Sequence, residues 1–163
     1  MGRRIALVLA LLVLSGCGGS GDGPVEATLP TDRLELPEFD EDGYRALIAK
    51  LEGTPIVVNF WGSWCPPCRD EAPDLAEVSR EFDGTVQFLG VNMVDARDPA
   101  REFIEEFDLP YPSIFDPRDR IRPALGLFGQ PITLVYDRRG QISWQHIGAT
   151  SADELRHQIE LVL

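Results

Sequence analysis

The sequence predicts an α/β domain, and three observations lead to this class. Apolar runs typical of strands alternate with apolar residues at helical spacing along residues 32–163. A segment of this length is sufficient for one substantial hydrophobic core, and no internal repeat divides it. Two cysteines, Cys65 and Cys68, stand where a strand pattern gives way to a helix pattern.

The residue pattern in the first half of this domain predicts a helix, a strand and a second helix. Four apolar residues at i, i+3, i+4 and i+7 predict a short amphipathic helix: Tyr44, Leu47, Ile48 and Leu51. The run PIVVNFW is rich in β-branched and aromatic residues, so it predicts a buried strand that ends at the cysteines. Helical spacing then returns at Ala72, Leu75, Val78 and Phe82. Pro73 should kink this helix because proline removes a backbone hydrogen bond.

The second half continues the alternation. The run VQFLGVN predicts a second central strand, and Asp98 with Pro99 predicts the cap and first residue of the next helix. Residues 111–129 are rich in proline and charge, which predicts a loop with one helical turn near residues 120–125. ITLVYDRRGQISWQHI predicts two strands around a turn, and Ser151 with Glu154 predicts a capping box that begins the last helix. The order after the first helix is therefore β-α-β-α-β-β-α.

The N-terminus has the layout of a secretory signal. Two arginines precede an apolar run over residues 5–14, and small residues and Cys17 follow. This run is about half the ~20 apolar residues that a membrane-spanning helix needs, which disfavours a retained anchor helix. The letters LSGC resemble the bacterial lipobox. This resemblance implies that residues 1–16 are removed as a lipoprotein signal peptide and that Cys17 is the lipid attachment point. An ordinary secretory signal with an incidental cysteine is the alternative.

Residues 17–31 predict an acylated cysteine and a flexible tether, since GGSGDGP cannot form a core. The folded domain is expected over residues 32–163. The whole chain carries a net charge of −12, and loss of two arginines with the signal would leave 13 basic against 27 acidic residues, or −14. This balance argues against nucleic acid as a partner and against electrostatic adhesion to anionic lipid.

The spacing of Cys65 and Cys68 predicts redox chemistry. Cysteines at i and i+3 share one face of a helix's first turn and are close enough to form a disulfide. Unpaired N–H groups at a helix N-terminus favour thiolate over thiol, so Cys65 is the predicted nucleophile and Cys68 the thiol that resolves the mixed disulfide. Pro66 and Pro67 stiffen this turn and help to set the reduction potential, and Pro67 suits the first helical position.

Three stretches, NFWGSWCPPCRDEAPDL, FLGVN and GQPITLVYDRRGQI, together resemble the TlpA/ResA-like family of membrane-anchored thiol-disulfide oxidoreductases. The resemblance covers residues 34–163. It implies a thioredoxin-like fold, in which a central mixed β-sheet is flanked by helices and an extra segment lies between the second central strand and a cis-proline loop. Residues 95–115 can supply that segment.

The same resemblance implies a function. Members of the family reduce disulfides in apocytochrome c or other exported proteins, with electrons from a membrane thiol reductase. We therefore expect an extracytoplasmic, lipid-anchored monomer with disulfide-containing exported proteins as substrates. No cofactor and no bound metal are expected. The cysteine spacing by itself permits a disulfide oxidase or isomerase equally well.

The resemblance also assigns roles to further residues. Asn59 stands where cytoplasmic thioredoxins carry a buried aspartate, and Glu71, one helical turn beyond Cys68, is the implied proton acceptor and modulator of the thiol pKa values. The alternative for Glu71 is a solvated carboxylate early in a helix. Pro131 is expected to be cis and to face the cysteines, where it would help to keep metals away from the thiols. Gln130 would offer its backbone to a substrate strand, while the role of its side chain stays open.

Two aromatic residues and two histidines complete the candidates. Trp64 is expected to line the rim around Cys65, and Phe128 has no assigned role. His146 is expected to be a strand residue with a satisfied hydrogen bond, and His157 a surface residue of a helix. Cys65 and Cys68 could be half of a structural zinc site, but such a site needs four ligands, and the chain has no second cysteine pair and only these two histidines.

Other classes of protein remain alternatives. A purely structural disulfide is one. A copper metallochaperone of the same fold would use two cysteines and a distant histidine, here His146, although such proteins typically carry CxxxC. A peroxiredoxin-like peroxidase would place its reactive cysteine in a Pro-x-x-x-Thr-x-x-Cys setting, which this chain lacks.

Overall fold

The structure is a computed structural model that describes residues 28–163. The predicted signal peptide, Cys17 and most of the predicted tether lie outside the described residues. The helices are α1 (Glu41–Lys50), α2 (Pro66–Glu81), α3 (Arg97–Glu106), α4 (Ile121–Ala124) and α5 (Ala152–Glu160). The strands are β1 (Ile56–Trp61), β2 (Gln87–Met93), β3 (Ser113–Asp116), β4 (Ile132–Tyr136) and β5 (Ile142–Ile147).

The strands form one mixed sheet with β1 at its centre. The spatial order is β3-β2-β1-β4-β5, in which β1, β2 and β3 run parallel while β4 is antiparallel to both β1 and β5. This is the sheet expected for a thioredoxin-like fold. Because β4 runs against β1, the end of β1 and the start of β4 lie at the same edge of the sheet.

The central strand is buried on both faces, so the sheet separates two hydrophobic clusters. Every residue of β1 is buried. Val57 and Trp61 pack with apolar residues of α2, α3 and α5. Val58 and Phe60 point to the other face and pack with residues of α1 and α4. Successive side chains of a strand point to opposite faces, which explains this division.

Side-chain caps fix where two of the helices begin. Asp40 accepts a hydrogen bond from the Gly43 N–H at 2.9 Å at the start of α1. Ser151 accepts one from the Glu154 N–H at 3.3 Å at the start of α5, which confirms the predicted cap there. Each cap satisfies one of the N–H groups that have no partner within the helix.

Two sequence predictions about the second half were wrong. The segment predicted as a loop contains β3, a strand of four buried residues that pairs in parallel with β2. The helical turn predicted in the same segment is confirmed as α4. Helix α3 begins at Arg97, with Ala96 rather than Asp98 as its N-cap. Pro99 is therefore the third helical residue, where its missing N–H removes no helical hydrogen bond.

Two further observations bear on the N-terminal tether and on membrane insertion. Leu29, within the predicted tether, is partly buried against the cluster on the α1 face. No helix between residues 28 and 163 is long and apolar enough to span a bilayer.

Gly90 on β2 offers a test of the packing beneath α2. A Cβ atom at this position would lie 2.1 Å from Ser113 Oγ and 2.7 Å from Trp61 Nε1. Gly90→Ala should therefore lower the free energy of unfolding by about 2 kcal/mol through overpacking. Urea denaturation of Gly90→Ala, Ser113→Ala and the double variant measures this effect. Removal of the Ser113 hydroxyl should recover part of the loss, and strictly additive losses would contradict the proposed clash.

Candidate active site

The two cysteines lie at the junction between β1 and α2. Cys65 is the N-cap of α2 and has extended backbone angles, and it forms a disulfide with Cys68 across a Cα–Cα distance of 5.3 Å. Pro66 takes the first helical position and Pro67 the second, so the prediction that Pro67 is first was off by one residue. Neither proline removes a hydrogen bond here, because the first N–H groups of a helix have no internal partner.

The helix N-terminus acts directly on the Cys65 sulfur. The backbone N–H of Cys68 donates to Cys65 Sγ at 3.3 Å. A donor at this position stabilises negative charge on the sulfur, as does the positive end of the helix dipole. This geometry supports the prediction that Cys65 is the nucleophile, which stays a prediction.

Asp95, in the loop after β2, organises the segment that precedes the cysteines. Its carboxylate accepts hydrogen bonds from the Ser63 N–H at 2.7 Å, from the Ser63 hydroxyl at 2.9 Å and from Asn92 Nδ2 at 2.9 Å. The indole N–H of Trp64 donates to the Val94 carbonyl at 2.9 Å. Sequence reasoning missed Asp95, because nothing in the pattern reveals that the loop after β2 crosses to residue 63.

Glu71 is buried behind the disulfide. Its side chain lies on the sheet-facing side of α2 and is only 1% exposed, which excludes the alternative of a solvated carboxylate. Oε1 accepts a hydrogen bond from Asn59 Nδ2 at 2.8 Å, and Oε2 accepts one from the Thr150 N–H at 3.0 Å. The carboxyl group therefore joins α2 to β1 and to the segment that leads into α5.

Burial dominates the ionisation of this carboxyl group. Loss of hydration raises the pKa of Glu71 from 4.5 to about 7, although the hydrogen bonds from Thr150 and Asn59 lower it and the nearby Asp74 raises it. A group with this pKa exchanges its proton readily near neutral pH. Asn59 is itself buried and also donates a hydrogen bond to Thr133 Oγ1 at 3.2 Å.

The cis-proline loop faces the cysteines. The Gln130–Pro131 peptide bond is cis, as predicted, and Pro131 is buried. The side chain of Arg122 on α4 donates to the Gly129 carbonyl and pairs with Asp119, and this ties the loop to the helix before it. The side-chain amide of Gln130 lies within hydrogen-bonding distance of Cys68 Sγ, at 3.6 Å. Within residues 28–163, the backbone of Gln130 has no hydrogen-bond partner.

The aromatic candidates and the histidines take the following places. Trp64 is 56% exposed beside Cys65, and Phe128 in the cis-proline loop is 73% exposed. His146 is on β5 and its Nε2 lies 3.3 Å from the Ala149 carbonyl oxygen, while His157 is exposed on α5, and both placements match the predictions. In the described part of the chain, no group of three or more histidine, cysteine or acidic residues is arranged to hold a metal ion.

Comparisons with known proteins agree with this geometry. The model of the AhpC/TSA family matches residues 26–145. The thiol:disulfide interchange protein DsbE of Vibrio cholerae is 30% identical, over 91% of this chain and 87% of that protein. The thiol-disulfide oxidoreductase ResA of Geobacillus thermodenitrificans is 26% identical, over 98% of this chain and 94% of that protein.

Solved structures give the same result. A DsbF homologue from Corynebacterium diphtheriae is 30% identical with a TM-score of 0.66, and the match covers 70% of this chain and 75% of that one. A thiol:disulfide interchange protein of the thioredoxin family from Chlorobium tepidum is 25% identical with a TM-score of 0.63, over 70% of this chain and 83% of that one. These matches confirm the predicted thioredoxin-like fold.

The raised pKa of Glu71 predicts how stability depends on pH. Between pH 4.5 and about 7 the folded state keeps a proton on Glu71 that the unfolded state has lost. The free energy of unfolding should therefore fall as pH rises through this window, by about 3 kcal/mol in total from this group. Denaturant titrations of the oxidised protein across this window measure the slope. Glu71→Gln should remove it, and the exposed control Glu160→Gln should keep it. An unchanged slope in Glu71→Gln would contradict the shifted pKa.

Proposed function

This chain belongs to the AhpC/TSA family and is a thiol-disulfide oxidoreductase of the thioredoxin fold, and on that premise we propose that it reduces disulfides in exported proteins such as apocytochrome c. The observation that carries the proposal is the Cys65–Cys68 pair at the start of α2 with a buried carboxyl group behind it. The names of the relatives, thiol:disulfide interchange protein and thiol-disulfide oxidoreductase, support thiol-disulfide exchange as the reaction.

The N-terminal sequence supports a proposal about where the protein acts. We propose that the chain is exported, that its signal peptide is removed before Cys17, and that acylation of this cysteine anchors it to a bacterial membrane. Stable anchoring requires more than one acyl chain, since a single chain binds only marginally. A membrane thiol reductase would then return electrons to the disulfide after each cycle.

The reaction consists of two exchanges. The Cys65 thiolate attacks one sulfur of the substrate disulfide, so a mixed disulfide forms and the first substrate thiolate leaves. The Cys68 thiolate then attacks Cys65 Sγ, which forms the Cys65–Cys68 bond and releases the second substrate thiolate. Two electrons pass from the protein dithiol to the substrate.

Glu71 is the proposed acceptor of the proton of the Cys68 thiol. Cys68 is buried and must lose its proton before it attacks, and an uncompensated thiolate in an apolar environment is unfavourable. Glu71 accepts this proton in our proposal, because its pKa of about 7 allows both protonation states near neutral pH. The proton then reaches the departing substrate thiolate through solvent.

The substrate binds across the rim formed by Trp64 and the cis-proline loop. The backbone of Gln130, which has no partner among residues 28–163, is available for strand-like hydrogen bonds with an extended substrate segment. The exposed indole of Trp64 offers an apolar contact on the side of Cys65. In our proposal, a substrate bound in this way has its disulfide near the sulfur that attacks it.

An exchange assay in both directions tests the proposed function. The reduced chain is mixed with an oxidised peptide that carries the Cys-x-x-Cys segment of an apocytochrome c, and thiols are counted by alkylation and mass spectrometry. We expect peptide dithiol and protein disulfide as the main products. Cys68→Ala should stop at a mixed disulfide through Cys65, and Cys65→Ala should not react.

The reverse reaction distinguishes the alternatives. If the oxidised chain instead transfers its disulfide efficiently to the reduced peptide, it acts as an oxidase or isomerase and the direction proposed here is wrong. The absence of exchange in both directions would contradict the exported-substrate proposal as a whole.

A further inference from the structure

Each sulfur of the disulfide has its own hydrogen-bond donor. Cys65 Sγ accepts from the backbone N–H at the start of α2, at 3.3 Å, and Cys68 Sγ accepts from Gln130 Nε2, at 3.6 Å. Gln130 is the one side chain among residues 28–163 that donates to Cys68 Sγ. The resolving sulfur therefore depends on the cis-proline loop, while the nucleophilic sulfur depends on the helix.

The surrounding chain holds the Gln130 amide in this position. Arg122 donates to the carbonyl of the preceding residue, Gly129, and the following residue, Pro131, is buried. On the opposite side, Gly62 leaves space for the amide, since a Cβ atom there would lie 3.1 Å from Gln130 Nε2. The donor is thus placed by contacts with two loops that meet at the active site.

We propose that the side chain of Gln130 is a catalytic residue that stabilises the Cys68 thiolate, an inference that rests on the proposed function. A hydrogen bond to a charged acceptor is roughly twice as strong as one between neutral groups. The Gln130 amide therefore stabilises the thiolate more than it stabilises either the thiol or the disulfide sulfur. This preference favours the state in which Cys68 is free and ionised.

That state occurs in the mixed disulfide. Cys65 is then bonded to the substrate sulfur, and the proton of Cys68 has passed to Glu71. The negative charge on Cys68 Sγ interacts with the Gln130 amide until the sulfur attacks Cys65 Sγ. In this attack the Cys65–Cys68 bond forms, the bond between Cys65 and the substrate breaks, and the substrate leaves as thiolate. Gln130 neither gains nor loses a proton.

The roles of Gln130 and Glu71 are separate. Glu71 lies on α2 one helical turn beyond Cys68 and takes up the proton in our proposal. The buried Tyr111, whose own pKa is raised by burial and by Glu71, adds no positive charge. Gln130 reaches the sulfur from the loop before β4 and acts on its charge. A variant of Gln130 therefore leaves the proton acceptor in place.

The pKa of the Cys68 thiol tests this role directly. All chains in this experiment carry Cys65→Ser, which keeps an oxygen at the N-cap. The absorbance of the Cys68 thiolate is followed as a function of pH in three of them, which have Gln130, Gln130→Leu or Gln130→Glu. We expect Gln130→Leu to raise the pKa of Cys68 by about one unit, which is the low end for loss of a hydrogen bond to a charged group. Gln130→Glu should raise it further, because a carboxylate adds like charge.

Kinetics provide a second readout in the chain with both cysteines. One unit of pKa lowers the thiolate population about tenfold below the pKa, while the higher pKa makes the remaining thiolate about threefold more nucleophilic. Resolution of a preformed mixed disulfide should therefore slow about threefold in Gln130→Leu. The matched control is Gln145→Leu, the same substitution at an exposed position of β5, which should leave the rate unchanged.

A merely structural effect would have a different signature. Damage to the loop or to α2 would also shift the pKa of Cys65, measured in the Cys68→Ala background, whereas loss of the Gln130 donor should leave that value unchanged. An unaltered Cys68 pKa in Gln130→Leu overturns the inference. If the wild-type chain exchanges no disulfide in the assay above, the proposed function fails instead, and the two failures are therefore distinguishable.

Discussion

The N-terminus of α2 is the feature on which the rest of the site depends. Strand β1 is the central strand of the sheet, and a short segment joins its end to α2, with Cys65 as the N-cap of that helix. Unpaired N–H groups and the helix dipole are therefore aimed at one sulfur. Because β2 ends and β4 begins at the same edge, the loop that contains Asp95 and the cis-proline loop both meet this helix.

The two sulfurs have different surroundings, and this asymmetry gives them different roles. Cys65 receives its hydrogen bond from the helix backbone. Cys68 receives its hydrogen bond from the Gln130 amide, and it is buried, as is Glu71. A nucleophile needs a stabilised thiolate before the reaction begins, whereas the resolving thiol must be ionised only after the mixed disulfide has formed. A helix terminus suits the first task, and a buried acid with a side-chain donor suits the second.

Features encoded by local pattern could be predicted from the sequence. The strand before the cysteines, the helical spacing after them and the Ser151 cap all depend on residues close together in the chain. The resemblance to a family supplied the cis bond before Pro131. Features that depend on tertiary contacts could not be predicted in this way. The strand β3 forms because β2 offers an open edge, and Asp95 acquires its role by reaching a loop 32 residues earlier in the chain.

The reduction potential of the Cys65–Cys68 pair tests the central claim most directly. The chain is equilibrated with glutathione or dithiothreitol at defined ratios, and tryptophan fluorescence, to which Trp64 beside the disulfide contributes, reports the reduced fraction. A potential near or below about −270 mV, the value of thioredoxin, would support a reductant, and this is the result we predict. A potential near about −120 mV, typical of a strong disulfide oxidant, would contradict the account.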